Sequence, residues 1–176
     1  IALKDLQGKL ICIALVRGDG SLRYFTGYVF AFRQVKTDGN AVIYEAILGP
    51  WLRYLKLRQD SVIFHNKTIA QQTETIFDDY HPEANWDWRV AGEDMEMTDA
   101  FQFNESDHNY LHRRWEALGC HYWYEHTESG HKLIVSDDST QAAPIDGAPE
   151  IPFQSHGGSV EEQGIHSWSP TRTLVQ

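Results

Sequence analysis

"KLICIALVRGDGSLRYFTGYVFAF", residues 9–32, decides the fold class. Two apolar runs, 9–16 and 23–32, flank "RGDGS", whose Asp-Gly pair suits a tight turn, so the stretch reads as a β-hairpin. A third run, "AVIYEAIL" (41–48), follows a second Asp-Gly turn in "KTDGN", which extends the hairpin to an antiparallel meander. In the second strand Phe25, Gly27, Val29 and Ala31 alternate with Tyr24, Thr26, Tyr28, Phe30 and Phe32. Apolar or aromatic groups therefore occupy both faces, and the expected cover is a barrel interior on one side and another chain or domain on the other. Gly27 in mid-strand marks a bulge or a close backbone approach, unless it simply weakens an ordinary strand.

Outward from this meander, helix and strand mix. "PWLRYLKLRQDSVIF" (50–64) opens on Pro50, suited to a first helical position, and puts Trp51, Leu52, Leu55 and Leu57 on one side of a short helix. In "NKTIAQQTETIFDDY" (66–80) Thr68 caps a helix whose Ile69, Thr73, Ile76, Phe77 and Tyr80 recur at helical spacing, and His81-Pro82 closes it. "NWDWRV" (85–90) and "AFQFNE" (100–105) alternate as strands. After 136, four of the six prolines and little periodicity indicate an extended connection, and "IHSWSPTRTLV" (165–175) resumes strand character. The expected class is mainly β (α+β): a barrel-like antiparallel domain over 1–64, a mixed α/β domain with a helix and β-hairpin over 65–138, and a linker leading into further barrel strands over 139–176.

The stretch "ESDHNYLHRRWEALGCHYWYEH" (105–126) crowds together four histidines, three glutamates, an aspartate and a cysteine. Placed on a helix over 105–118, capped by Asn104 or Ser106, it aligns Leu111, Trp115 and Leu118 as an apolar seam, with Gly119 at the left-handed stop. From Cys120 the period becomes two, and "TESG" turns the chain into "HKLIVS" as a hairpin. A sharper reading puts His108, His112 and Glu116 around one metal as a hydrolase, since histidines four apart share a helical face. Asn109 stands where the general base of that motif belongs, so rim histidines are the expected outcome. Cys120 and His121 point to opposite faces of a strand, which removes thiolate activation. Asp60, Asp78, Asp79, Asp137 and Asp138 sit near turns and helix ends, where capping and solvation are the usual roles. No catalytic centre, cofactor or metal is expected.

Bulk properties exclude several classes. The 176 residues carry 41% hydrophobic residues with six Trp, eight Tyr and eight Phe, enough for a real core. A net charge of −10 without a basic cluster argues against nucleic acid. Two distant cysteines, Cys12 and Cys120, form neither a disulfide framework nor a thiolate zinc site. The longest apolar run, "LICIALV", falls well short of the ~20 residues of a spanning helix, and no charged region precedes it as in a secretory signal. The initial Ile leads to the expectation of a longer parent polypeptide.

Several segments in order, "RYFTGYV" (23–29), "LGPWLRYLKLRQDSVIFHNKT" (48–68), "QFNESDHNYLHRRWEALGCHYWYEH" (102–126), "HKLIVSDD" (131–138) and "IHSWSP" (165–170), resemble the amino-terminal region of the VgrG family, the spike proteins of type VI secretion. The resemblance implies a homotrimeric hub related to contractile phage tail hubs, docked on a hexameric inner-tube protein, with effector and baseplate proteins as further partners. It also implies a bacterial cytoplasmic origin, then delivery into a target cell without a signal peptide or stable membrane insertion. A phage or tailocin hub would share these residues.

Overall fold

The computed structural model describes residues 2–39, 41–144, 150–153, 164–165 and 167–171. Residues 1–139 form one compact unit and 140–176 a second. Strand β1 (Leu10–Val16), β2 (Leu22–Asp38) and β3 (Ala41–Gly49) make an antiparallel sheet in the order β1-β2-β3. Both expected turns form: Gly20 and Gly39 take the left-handed conformation that Asp-Gly turns require. The second strand runs on to Asp38, well past Phe32, because it stays paired with β3 as far as Asp38–Ala41; along the way it absorbs an extra residue between Val29 and Ala31 and another between Gln34 and Lys36. Gly27 is no bulge. A Cβ there would lie 3.2 Å from the Gly49 carbonyl oxygen, so the glycine admits the departing end of β3.

After Pro50, which sits just outside as the cap, Trp51–Lys56 forms a short 3-10 helix that buries Trp51, Leu52 and Leu55 and leaves Leu57 exposed. The rest of that stretch, to which no element was assigned, belongs to β4 (Gln59–Lys67), antiparallel to β6 (Met97–Ser106). Helix α1 (Ile69–Asp78) starts with a reciprocal capping box between Thr68 and Gln71. The Asp94 carboxylate accepts the next two orphan donors, Ile69 N–H at 2.9 Å and Ala70 N–H at 2.8 Å. Helix α2 (Asp107–Ala117) is capped by the Ser106 hydroxyl, and Gly119 at φ +77° ends it as expected. Strand β5 (Trp86–Arg89) runs parallel to β8 (Gly130–Ser136), which pairs antiparallel with β7 (His121–Thr127), giving the order β5-β8-β7.

One core binds α1, α2, the 3-10 helix and the two smaller sheets. Trp51, Phe77 and Trp115 meet edge to face at 4.7 and 6.0 Å, and Leu133 and Val135 of β8 close the layer. Two buried polar links tie the helices together: Tyr110 O–H donates to Gln72 at 2.7 Å, and Trp115 Nε1–H donates to Thr73 Oγ1 at 3.0 Å. The architecture is strand-rich α+β with mostly antiparallel sheets. Among the described residues no sheet closes into a barrel; three strands are too few to do so alone. The boundary expected at 64/65 falls inside β4, within the compact unit. In the second unit, an isolated parallel bridge joins Phe153 and Ile165. Residues 167–171 are not in a strand, and the rest of the strand expected there lies outside the described residues.

Candidate assembly surface

The β1–β3 sheet contributes almost nothing to the core. Within its strands only Thr26, Gly27, Val29 and Gly49 are buried, where β2 crosses β7 and β8. Tyr28 and Phe30 pack on Tyr54 beside them, and most of the remainder projects with apolar side chains in water. Antiparallel register pairs point the same way, so Ile13, its partner Phe25, and Leu15 share one face. Leu10, Val16 and its partner Leu22 share the other. Ile13 is 52% and Val16 66% exposed, so neither face is covered. Further along, Ile43 and Ile47 of β3 are exposed too. Large apolar residues exposed together on both faces of one sheet mark an interaction surface, since a monomer gains nothing by wetting them. Beside the sheet lies a groove of about 300 Å³ whose wall includes Ile13, Phe25, Leu48 and Tyr124.

A second apolar strip lies on the β4–β6 ribbon. Ile63 and Phe101 are register partners, and Phe103 beyond them is 80% exposed. There the ladder skips from Asp60–Glu105 to Val62–Gln102, and Asn104 takes φ +45° with its N–H donating to Ser61 Oγ at 3.0 Å.

Among the described residues, the polar clusters bond to the backbone and to one another. Asp107 is buried and accepts Tyr80 O–H at 2.6 Å and Gln102 Nε2–H at 2.7 Å, with Arg58 Nε 3.7 Å away. Burial, then the bond to Asp107, pushes the Tyr80 phenol well above its usual range. Arg58 also pairs with Asp60 at 2.6 Å and with Asp79. Asp137 accepts Ala91 N–H and Gly92 N–H at 3.1 and 2.7 Å, and these bonds hold its carboxyl below the ordinary range. Sequence reading missed Asp107: nothing marks a helix-start aspartate as buried until the β4–β6 pairing is known.

The candidate metal set does not converge. The His108 and His112 rings stack at 3.7 Å. His112 Nδ1–H donates to the His108 carbonyl at 2.7 Å, which leaves Nε2 to accept Tyr122 O–H at 3.1 Å. Both ring nitrogens of His112 are therefore engaged. Burial first, then the neighbouring His112, lowers the His108 pKa to about 4, and burial lowers that of His112. Glu116 is exposed, and among the described residues no three His, Cys, Asp or Glu side chains gather to hold a metal. Cys120 is half-buried; burial, then Asp137 and Asp94, pushes its thiol up to about 11. His121 faces away and stacks on Trp123 at 5.5 Å. Among the described residues no helix is long and apolar enough to cross a membrane.

With an uncovered apolar sheet, an acidic chain and no assembled reactive centre among the described residues, comparison with known proteins decides the family. Residues 1–176 match the phage tail baseplate hub (GPD) family. The chain belongs to that family. Among relatives of this hub chain, the type VI secretion system spike protein VgrG1b of Pseudomonas aeruginosa is 31% identical over 137 residues, 78% of this chain and 18% of the relative. VgrG1a of the same organism is 26% identical over 99% of this chain and 27% of its own length. The actin cross-linking toxin VgrG1 of Vibrio cholerae is 26% identical over 94% of this chain and 15% of its own length. The hub chain thus spans about a quarter or less of these relatives. In fold it is similar to the E. coli c3393 protein, described as a type VI secretion component structurally similar to T4 bacteriophage tail proteins gp27 and gp5. The TM-score is 0.73 at 19% identity, covering 80% of this chain and 39% of that one.

Proposed function

We propose that this chain is a structural, non-enzymatic hub segment of a type VI secretion spike. Three copies associate, dock on the hexameric inner tube, and carry effectors through a target envelope when the machine fires. In that reading the β1–β3 sheet is one wall of a hub barrel, the α/β residues that follow support it laterally, and 139–176 lead toward further barrel strands. The protein is held in the bacterial cytoplasm before firing and then delivered.

The observation that carries this reading is the exposure of Ile13 and Phe25 on one face of the sheet and of Val16 and Leu22 on the other, in a chain of the hub family. Homo-oligomer interfaces resemble a core cut in half, and this sheet has that character on both sides. The family description equally favours the hub of a contractile phage tail, which would use the same surface.

The test is sedimentation of the full-length protein at several concentrations, with and without its tube partner. A trimer that binds the tube is expected, and the double substitution Ile13→Asp with Phe25→Asp is expected to abolish one or both associations while leaving the melting transition of the α/β core in place. A monomer at every concentration that ignores the tube would refute the proposal.

A further inference from the structure

Where β3 leaves β2, imidazoles replace the missing strand. The β2–β3 ladder stops at Tyr28–Gly49, and two residues back the Thr26 N–H points to the side β3 has vacated. It donates to His126 Nδ1 of β7 at 3.1 Å, and the Thr26 hydroxyl lies 3.1 Å from the same nitrogen. The same hydroxyl is 3.4 Å from Nδ1 of His131, whose Nε2 accepts the Trp51 N–H at 3.0 Å. These contacts fix the protons. A nitrogen that accepts from a backbone N–H is bare, so His131 carries its proton on Nδ1 and gives it to Thr26 Oγ1. Thr26 O–H then donates to His126 Nδ1, and the proton of neutral His126 sits on Nε2. Both rings serve as neutral acceptors for backbone amides. Charging either would set an N–H against an N–H that already points at it.

The surroundings offer no compensation. From β2, Arg23 acts on His126 and disfavours its charge. The groups packed around His131 are the phenols of Tyr28 and Tyr124, 6.0 and 5.6 Å away between ring centres, and His126 itself at 5.6 Å. Burial raises both phenols, which therefore stay neutral. Glu83 acts on Tyr28 and Tyr54 and on neither imidazole. Glu125 and Lys132, the adjacent register pair, lie on the opposite face of the β7–β8 hairpin.

We propose that Thr26, His126 and His131 form a proton-sensitive latch that clamps the projecting β1–β3 sheet to the α/β body, so that uptake of a proton frees the middle of β2. Burial, then His126, lowers the His131 pKa to about 4, and burial lowers that of His126, in keeping with this. For histidines held neutral, the open state binds more protons at mildly acid pH. The latch is therefore closed above the ordinary histidine value and weakens as pH falls toward 4, by up to about tenfold in the opening equilibrium per pH unit and per ring. The inference rests on this junction and not on the assembly reading; a chain that never trimerised would still show it.

The test is backbone hydrogen exchange on the whole 176-residue chain between about pH 7 and about pH 4.5, corrected for intrinsic rates, together with ring 15N NMR. Protection of the Thr26 and Trp51 amides is expected to fall at least about tenfold below about pH 6 while the β4–β6 amides keep theirs. His131→Gln, which can accept from Trp51 and donate to Thr26 without titrating, should remove that dependence at the Trp51 amide and leave at Thr26 only the share that His126 contributes. If His131→Gln fails to fold, the unaltered protein carries the test through its ring spectra: His131 should be the Nδ1–H tautomer, His126 the Nε2–H tautomer, and both should titrate below the ordinary histidine range. Titration of His131 at the ordinary value, undiminished protection at Thr26 in acid, or an equal loss across β4–β6 would each overturn the proposal.

Discussion

Replacing Asp107 by alanine should destabilise the α/β core more than any exposed acidic substitution, and the contacts say by how much. Asp107 is 1% exposed, and its carboxylate accepts from Tyr80 O–H and Gln102 Nε2–H, with Arg58 close by. Each hydrogen bond to a buried charge contributes about 1.5–3 kcal/mol, so two give roughly 3–6 kcal/mol as an upper range. Relief is partial. Gln102 Nε2 keeps its bond to the Glu105 carbonyl at 3.1 Å, and half-buried Tyr80 lines a cavity of about 380 Å³ from which water can enter once the carboxylate is removed. The expected loss is therefore about 3 kcal/mol, a large part of the roughly 5–15 kcal/mol typical of a domain. Asp107→Asn keeps one acceptor but turns an amide toward a donor, and should cost less. Asp79→Ala is the control: Asp79 is exposed, and Arg58 retains Asp60, so about 1 kcal/mol or less is expected. Urea unfolding followed by tryptophan fluorescence reads all three. An Asp107→Ala loss no larger than that of Asp79→Ala would show that the buried network does not hold the start of α2.

Thr68→Ala removes half of the capping box and should lower stability by about 1 kcal/mol, read as a lower thermal midpoint. Gly119→Ala should cost about 1–2 kcal/mol from backbone conformation alone, because φ is +77° and nothing within 4 Å would meet the added Cβ. Iodoacetamide near neutral pH should label exposed Cys12 well before Cys120, whose thiol is half-buried and pushed up to about 11; peptide mass spectrometry follows the two rates, and equal labelling would contradict that environment.

The parts of the fold legible in the sequence are those set by neighbours along the chain. The Asp-Gly turns, the Thr68 cap and the Gly119 stop depend on local backbone preferences, and the seam of Leu111 and Trp115 shows at helical spacing. Strand β4 escaped because Val62, Ile63 and Phe64 are all apolar in a row, while only Phe64 is buried and Ile63 faces water. Its partner residues lie 30–47 positions away, and no short-range signal announces such a pairing. The same distance hid the parallel β5–β8 pair. The crowded histidines were visible, yet their roles depended on what lay across from them: His112 on the Tyr122 hydroxyl, His131 on the Trp51 amide. Two-faced greasiness in the second strand was readable from composition, and the structure leaves both faces of that sheet open to solvent.

The two surplus residues in β2 set where the chain can change length. Pairing resumes beyond them with Ala31 opposite Ile47 and Lys36 opposite Ile43, so Phe30 and Val35 are the places where a codon can be lost without turning any later side chain over. Phe30 is the costlier deletion, since its ring packs on Tyr54 and under the Arg53 guanidinium. Val35 is half-exposed, which makes it the position where natural variants can shorten this strand and still present the same chemistry to whatever they meet.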